Sequence, residues 1–221
     1  MLPLDLADLA ALPQHASHAL GVYGHVDYMV HNAGIALRDR VVDTSLAIDQ
    51  KVMAVNYFGP VAITKALLPS MLRRRSGCFV VVSSLSGKYG GPQFSSYAAS
   101  KHALPGFFES LRAEVHADNI RITMVVPGFI RTSILKSAVT GGGGTYQKTL
   151  TVHERGMHPD RCAAKILAAV ARGKDEALVG GMEIYSVHLN RWFPTLLAVL
   201  IRSHPARLQS QLRRFFSFGS P

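Results

Sequence analysis

A chain of 221 residues with 48% hydrophobic content has room for one domain with a sizeable core. The net charge of +10 comes from scattered basic residues, apart from Arg73–Arg75 and the C-terminal arginines, and no recognition motif accompanies them, so nucleic acid is not the expected partner. Cys78 and Cys162 lack metal-ligand spacing, and the start carries Asp5 and Asp8 with no basic segment, which argues against a metal centre and a signal peptide and for a reduced, cytoplasmic setting with buried thiols.

Apolar runs alternate with amphipathic stretches, the pattern of βαβ units and a parallel sheet. Asp8 is placed to cap a helix running to about Tyr23. Val26–Val30 reads as a buried strand. Residues 46–73 read as a long helix, with a kink expected at Gly59-Pro60 and Pro69. Cys78–Ser83 is a β-branched-rich strand, residues 95–117 the next helix and Arg121–Val126 the next strand. Gly141–Gly144 reads either as a flexible linker or as part of a mobile lid. Pro159–Arg172 is helical and Ala177–Val179 a short strand. Trp192, Phe193 and Pro194–Ile201 form an apolar block between Arg191 and Arg202 that is too short to span a bilayer. It suits packing on the domain or a sister subunit, or peripheral contact with a membrane surface through residues 192–202.

The chemistry is concentrated in SSLSGKYGGPQFSSYAASK, which holds Ser84, Tyr97 and Lys101. On a helix, Tyr97 and Lys101 share a face. A free phenol has a pKa of about 10, and a neighbouring cation lowers it towards the range useful for acid–base work. A serine thirteen residues before the tyrosine can hydrogen-bond a substrate oxygen as charge develops on it. The Tyr–Lys spacing alone also suits a solvated helix face, so the surrounding motifs decide.

Those motifs resemble the short-chain dehydrogenase/reductase family. VDYMVHNAG resembles its fourth strand and Asn-Ala-Gly turn, and VMAVNYFGPVAITKALLPSM its long central helix with a catalytic asparagine. GCFVVVSSLSGKYG resembles the fifth strand, YAASKHALPGFFESLRAEV the Tyr-x-x-x-Lys helix, and IRITMVVPGFIRTSI the sixth strand with its Pro-Gly turn. LPLDLADL resembles the end of the third strand. The SSLSGK and SKHALPGFF wording leans towards the hydroxysteroid-dehydrogenase-like branch.

The resemblance implies an α/β, Rossmann-type doubly wound parallel sheet that is N-terminally incomplete. Residues 1–185 would be a partial dinucleotide-binding domain and 186–221 a C-terminal helical tail. It implies NAD(P)-dependent hydride transfer between nicotinamide and a small-molecule alcohol or ketone. The apolar loop 129–158 and tail suggest a lipophilic one. Asn56, Ser84, Tyr97 and Lys101 would be catalytic. Tyr97 would move the proton, Lys101 would tune it and hold the nicotinamide ribose, Ser84 would polarise the substrate, and Asn56 would hold a relay water. Asp5 and Leu6 would meet the adenine, and Asn32, Ala33 and Gly34 the adenosine side. Pro127, Gly128, Ile130 and Thr132 would frame the nicotinamide, together with Tyr97 and Lys101. NADP is favoured over NAD by the branch wording and the positive charge. A homo-oligomer is expected, with the Leu104–Leu111 stretch as its contact.

The family's Thr-Gly-x-x-x-Gly-x-Gly turn has no match after a strand. About 50 residues, two strand–helix units, would precede the first matched motif. In the family's 3-2-1-4-5-6-7 order, their absence leaves one edge of the fourth strand unpaired. An internal start, a fragment and a non-catalytic association module are the alternatives this leaves open.

Overall fold

A computed structural model describes residues 3–148 and 150–202. The chain divides after Ile184 into two compact units. The first contains one parallel sheet of four strands, β1 (Tyr28–His31), β2 (Gly77–Val82), β3 (Ile120–Pro127) and β4 (Glu176–Val179), in the order β1-β2-β3-β4. This is the expected α/β arrangement. Register runs from Tyr28 opposite Cys78, through Phe79 opposite Ile122, to Pro127 opposite Val179.

Side chains alternate across the strands and build two cores. Phe79 and Val81 of β2, with Ile122 and Met124 of β3, face helices α1 (Leu12–Tyr23), α3 (Gly59–Arg74) and α4 (Ser95–Glu114). Cys78 and Val80, with Val125 and Val179, face the other way, onto α6 (Pro159–Ala171), which follows the short α5 (Thr151–Glu154). Cys78 and Cys162 both lie in this second core, and burial raises both thiol pKa values. β1 obeys the same alternation: His31 is buried on the first face, while Tyr28 and Val30 on the second are 56% and 50% exposed. Parallel sheets are ordinarily covered on both faces, so this is bare strand surface.

The long helix contains α2 (Leu46–Met53), a π-helical turn (Ala54–Phe58) and α3. The irregularity expected at Gly59-Pro60 therefore falls immediately before it. By length and composition Leu46–Arg74 could cross a membrane. It instead packs against α1, α4 and β2 as a core helix.

Three expectations are corrected and a fourth is narrowed. Helix α1 starts at Leu12, because Pro13 opens its first turn and Asp8 is used earlier, accepting the Ala11 N–H at 3.3 Å. Residues 3–5 form no strand, since no described neighbour pairs with them; Asp5 Oδ1 closes a turn by accepting the Ala7 N–H at 2.8 Å. The four glycines are no loose linker. Gly141 N–H donates to Asp39 Oδ2 at 2.9 Å and its carbonyl accepts from Ser45 N–H, while Thr140 and Gly144 close a tight turn through Gly143 at φ +90°. The Leu104–Leu111 stretch is only partly open to a subunit contact, because Leu104, Phe108 and Leu111 are buried in the first core while Phe107 is half-buried.

The second unit contains α7 (Ser186–Trp192) and α8 (Pro194–Arg202). Here Trp192, Phe193, Leu196, Val199 and Leu200 are exposed. Arg207, Arg213 and Arg214 lie outside the described residues.

Candidate active site

All four strands point the same way, so the loops after them gather at one edge of the sheet. That is where open α/β sheets bind ligands. Apart from Asp5 and Leu6, which precede α1, the sequence-selected residues sit in those loops and in the two helices behind them.

Ser84 follows β2 in extended conformation and caps a short 3₁₀ turn, its Oγ accepting the Ser86 N–H at 3.1 Å. The same hydroxyl lies near enough to the Tyr97 phenol to act on its pKa. Tyr97 stands in the first turn of α4, with Lys101 one turn further on. Burial raises the phenol pKa, and the Ser84 hydroxyl opposes that rise. Lys101 Nζ lies 5.9 Å from the Tyr97 ring centre and donates to the Val82 carbonyl at 2.8 Å. Burial in turn lowers the Lys101 pKa to about 8.

Two prolines lie four residues after site residues, and neither can donate to the carbonyl behind it. Pro105 leaves the Lys101 carbonyl without its helical donor; the Ser83 hydroxyl supplies one at 3.0 Å in a buried setting. Gly87 makes this approach possible, since a Cβ there would lie 2.6 Å from the same carbonyl. Pro60 likewise offers nothing to the Asn56 carbonyl, and Asn56 sits in the π turn, a distortion frequent at functional sites.

Asn56 is buried and its amide works as a clamp. Oδ1 accepts the Ile35 N–H at 2.8 Å, while Nδ2 donates to the Ile35 carbonyl at 2.9 Å and to Ser100 Oγ at 3.0 Å. Ser100 Oγ donates onward to the Tyr97 carbonyl at 2.8 Å. The Asn-Ala-Gly turn is thereby fixed to α4. A Cβ on Gly34 would stand 3.0 Å from Asn56 Oδ1 and 3.6 Å from Lys101 Nζ, so glycine lets the turn approach both. Asn32 and Ala33 remain exposed. His31, the end of β1 rather than a loop residue, stacks on Phe79 and pairs with Thr64 Oγ1 at 2.8 Å; burial lowers its pKa to about 4 and keeps it neutral.

Asp5 is exposed, and Leu6 lies against the start of α3, where a Cβ on Gly59 would be 2.9 Å from its carbonyl. At the end of β3, Gly128 N–H donates to the Val179 carbonyl at 2.9 Å. Phe129 O and Arg131 N–H pair with Met157, so the intervening Ile130 N–H faces away from that partner. Thr132 N–H turns back onto the Ile130 carbonyl at 2.9 Å.

Sequence reasoning missed Glu183. Its Oε1 accepts both the Phe129 and Gly181 N–H groups at 2.9 Å, pinning the Pro-Gly turn from behind, and a Cβ on Gly128 would collide with it. The Gly180-Gly181 pair before it was the only signal in the sequence.

The family model for short chain dehydrogenases matches residues 1–141. The chain belongs to this family. It is 46% identical, over 90% of its length, to dehydrogenase/reductase SDR family member 7B of Bos taurus. It is similar to the structure of a short-chain dehydrogenase from Streptomyces avermitilis, with a TM-score of 0.74, 27% identity and coverage of 99% of this chain and 79% of that one. A short chain dehydrogenase from Burkholderia cenocepacia, solved in complex with NADP, shares the fold with a TM-score of 0.75 at 22% identity, covering 90% and 77% of the two chains. The chain spans 65% and 62% of the length of the first curated relatives it matches.

Proposed function

We propose that this site transfers hydride reversibly between a nicotinamide cofactor and an alcohol or carbonyl carbon, with Tyr97 as the proton donor and acceptor. The observation that carries the reading is Tyr97 one turn before a buried Lys101 on α4, the ammonium 5.9 Å from the centre of the phenol ring, with the Ser84 hydroxyl acting on the same phenol. The nicotinamide ring, when bound, supplies or accepts the hydride.

The residues present fit the nicotinamide end of such a cofactor. An ammonium has three donors, and the Val82 carbonyl takes one from Lys101, leaving donors for ribose hydroxyls. The Ile130 N–H and Thr132 side chain stand beside the Pro-Gly turn for the carboxamide, and Asn32, Ala33 and Gly34 border the other side. Asp5 and Leu6 would meet the adenine. Among the described residues no glycine-rich turn leads from a strand into a helix to hold the pyrophosphate. NADP is the favoured form, on the net charge of +10 and the NADP held by the Burkholderia relative in fold.

Tyr97 gives its proton to the carbonyl oxygen in reduction and removes it in oxidation. A phenol whose pKa burial has raised stays protonated at neutral pH, which suits the reductive direction. Ser84 orients the same oxygen. Both Nδ2 donors of Asn56 are spent, so the relay water would rest on its main-chain carbonyl, which Pro60 leaves without its helical donor. Apolar loop and tail segments favour a lipophilic substrate. Tyr97→Phe is expected to abolish NADPH oxidation with lipophilic ketones while leaving NADPH binding intact. Wild-type turnover in that variant would overturn the assignment.

A second reading concerns the tail. Exposed Trp192, Phe193, Leu196, Val199 and Leu200 lie between Arg191 and Arg202, and five arginines but no acidic residue follow Glu183. This composition suits peripheral contact with an anionic lipid surface. Flotation with anionic but not neutral vesicles is the expected outcome, and Leu196→Asp with Leu200→Asp should remove it. Equal recovery with both vesicle types, or none, would sink the idea.

A further inference from the structure

Arg38 lies on the segment after the Asn-Ala-Gly turn, and its backbone N–H donates to the Val139 carbonyl at 2.9 Å. Its guanidinium carbon sits 4.6 Å over the Phe94 ring and 5.9 Å from that of Tyr146, and Nη1 donates to the Pro92 carbonyl at 3.3 Å. No carboxylate pairs with it among the described residues. The nearest in sequence, Asp39, is spent on the Gly141 and Arg40 N–H groups. Arg38 Nε is buried without a partner, and so is Nδ1 of His153. Among the described residues Nη2 has no hydrogen-bond partner, and the Arg38 side chain is only half-buried.

His153 packs edge-on against Phe129 at 5.1 Å, immediately after the Pro-Gly turn. Burial lowers its pKa, and the Arg38 charge adds to the fall, so the imidazole is held towards its neutral form. Phe94 leads directly to Tyr97, their ring centres 6.2 Å apart. Arg38 Nε and His153 Nδ1 are thus two unpartnered nitrogens among aromatic rings, while the neighbouring acids, Asp39 and Glu183, are engaged by backbone N–H groups.

A guanidinium this enclosed is normally paired, and a buried donor left unsatisfied forfeits its hydration without recompense. We propose that Arg38 and His153 form an oxyanion subsite, one aromatic ring from Tyr97, that receives a carboxylate or phosphate group of the substrate. The inference rests on the oxidoreductase reading and adds to its lipophilic substrate a fixed anionic group. Arginine suits the task because its planar fork matches either oxyanion.

The test uses the full chain with labelled histidine side chains, titrated by NMR with inorganic phosphate and, separately, acetate against chloride of equal ionic strength. The His153 ring signal, assigned through His153→Gln, should shift saturably. Response to phosphate alone assigns a phosphate ester, to acetate alone a carboxylate, and to both a general oxyanion site. Arg38→Met, which keeps the stem between Phe94 and Tyr146, should lose the response, and the exposed Arg172→Met should keep it. If Arg38→Met does not fold, Arg38→Lys serves, with about tenfold weaker binding expected of a point charge. No saturable shift in the wild type, or an unchanged one in the Arg38 variant, overturns the subsite. The readout needs neither cofactor nor turnover, so its failure leaves the oxidoreductase reading standing, and an inactive chain leaves this test intact.

Discussion

Ser83 and Pro105 show how a site residue is held through its backbone. The hydroxyl replaces the helical N–H that proline lacks. Ser83→Ala should leave the buried Lys101 carbonyl unpaired and cost about 1–3 kcal/mol in denaturant unfolding. Lys101 makes a second prediction. Its folded pKa is drawn from the ordinary 10.5 down to about 8, so between those values the unfolded chain binds a proton that the folded chain does not. The Lys101 contribution to stability therefore rises with pH from about 8 to 10.5 and is least favourable below about 8. Lys101→Met should flatten that window in unfolding measured against pH. At this scale the sequence was readable where chemistry imposes spacing, as in Ser84, Tyr97 and Lys101. It was silent on Glu183 and Arg38, whose partners lie 54 residues away in the chain, at Phe129 and Pro92 respectively. The Lys101–Val82 bond was equally hidden, because the direction of a flexible side chain is decided by packing.

Helices and strands were the most legible features, because burial on one face writes a period into the chain. β2, β3, α4 and α6 lie within a few residues of the expected spans. The errors fell where a turn or a missing neighbour overrides pattern, as at Pro13 and at residues 3–5. The glycine run misled for a different reason: glycine permits both flexibility and close approach, and composition does not separate them. Close contact is the determinant at Gly59, where α3 meets the Leu6 backbone. Gly59→Ala should force the two apart, costing about 1–3 kcal/mol and raising proteolytic susceptibility around residues 3–10. Unchanged stability and cleavage would show that the N-terminal segment yields without loss.

For the molecule as a whole, the bare side of β1 is the liability. Tyr28 and Val30 offer apolar surface beside an edge strand among the described residues. Val30→Lys should slow self-association, read by light scattering, because a charge on an edge strand opposes pairing. If association is unchanged, the contact lies elsewhere. Topology at this scale was legible from the order of the motifs, whereas surface exposure depends on what neighbours a strand has. The π turn in the central helix has a consequence for such readings. An α-helical residue advances about 100° around the axis, so one extra residue in a turn rotates everything after it by about that angle. The two halves consequently address different neighbours, α2 touching α4 and α3 touching α1 and β2. One rod keeps two angular phases, and a search imposing a single phase on Leu46–Arg74 would average both stripes away.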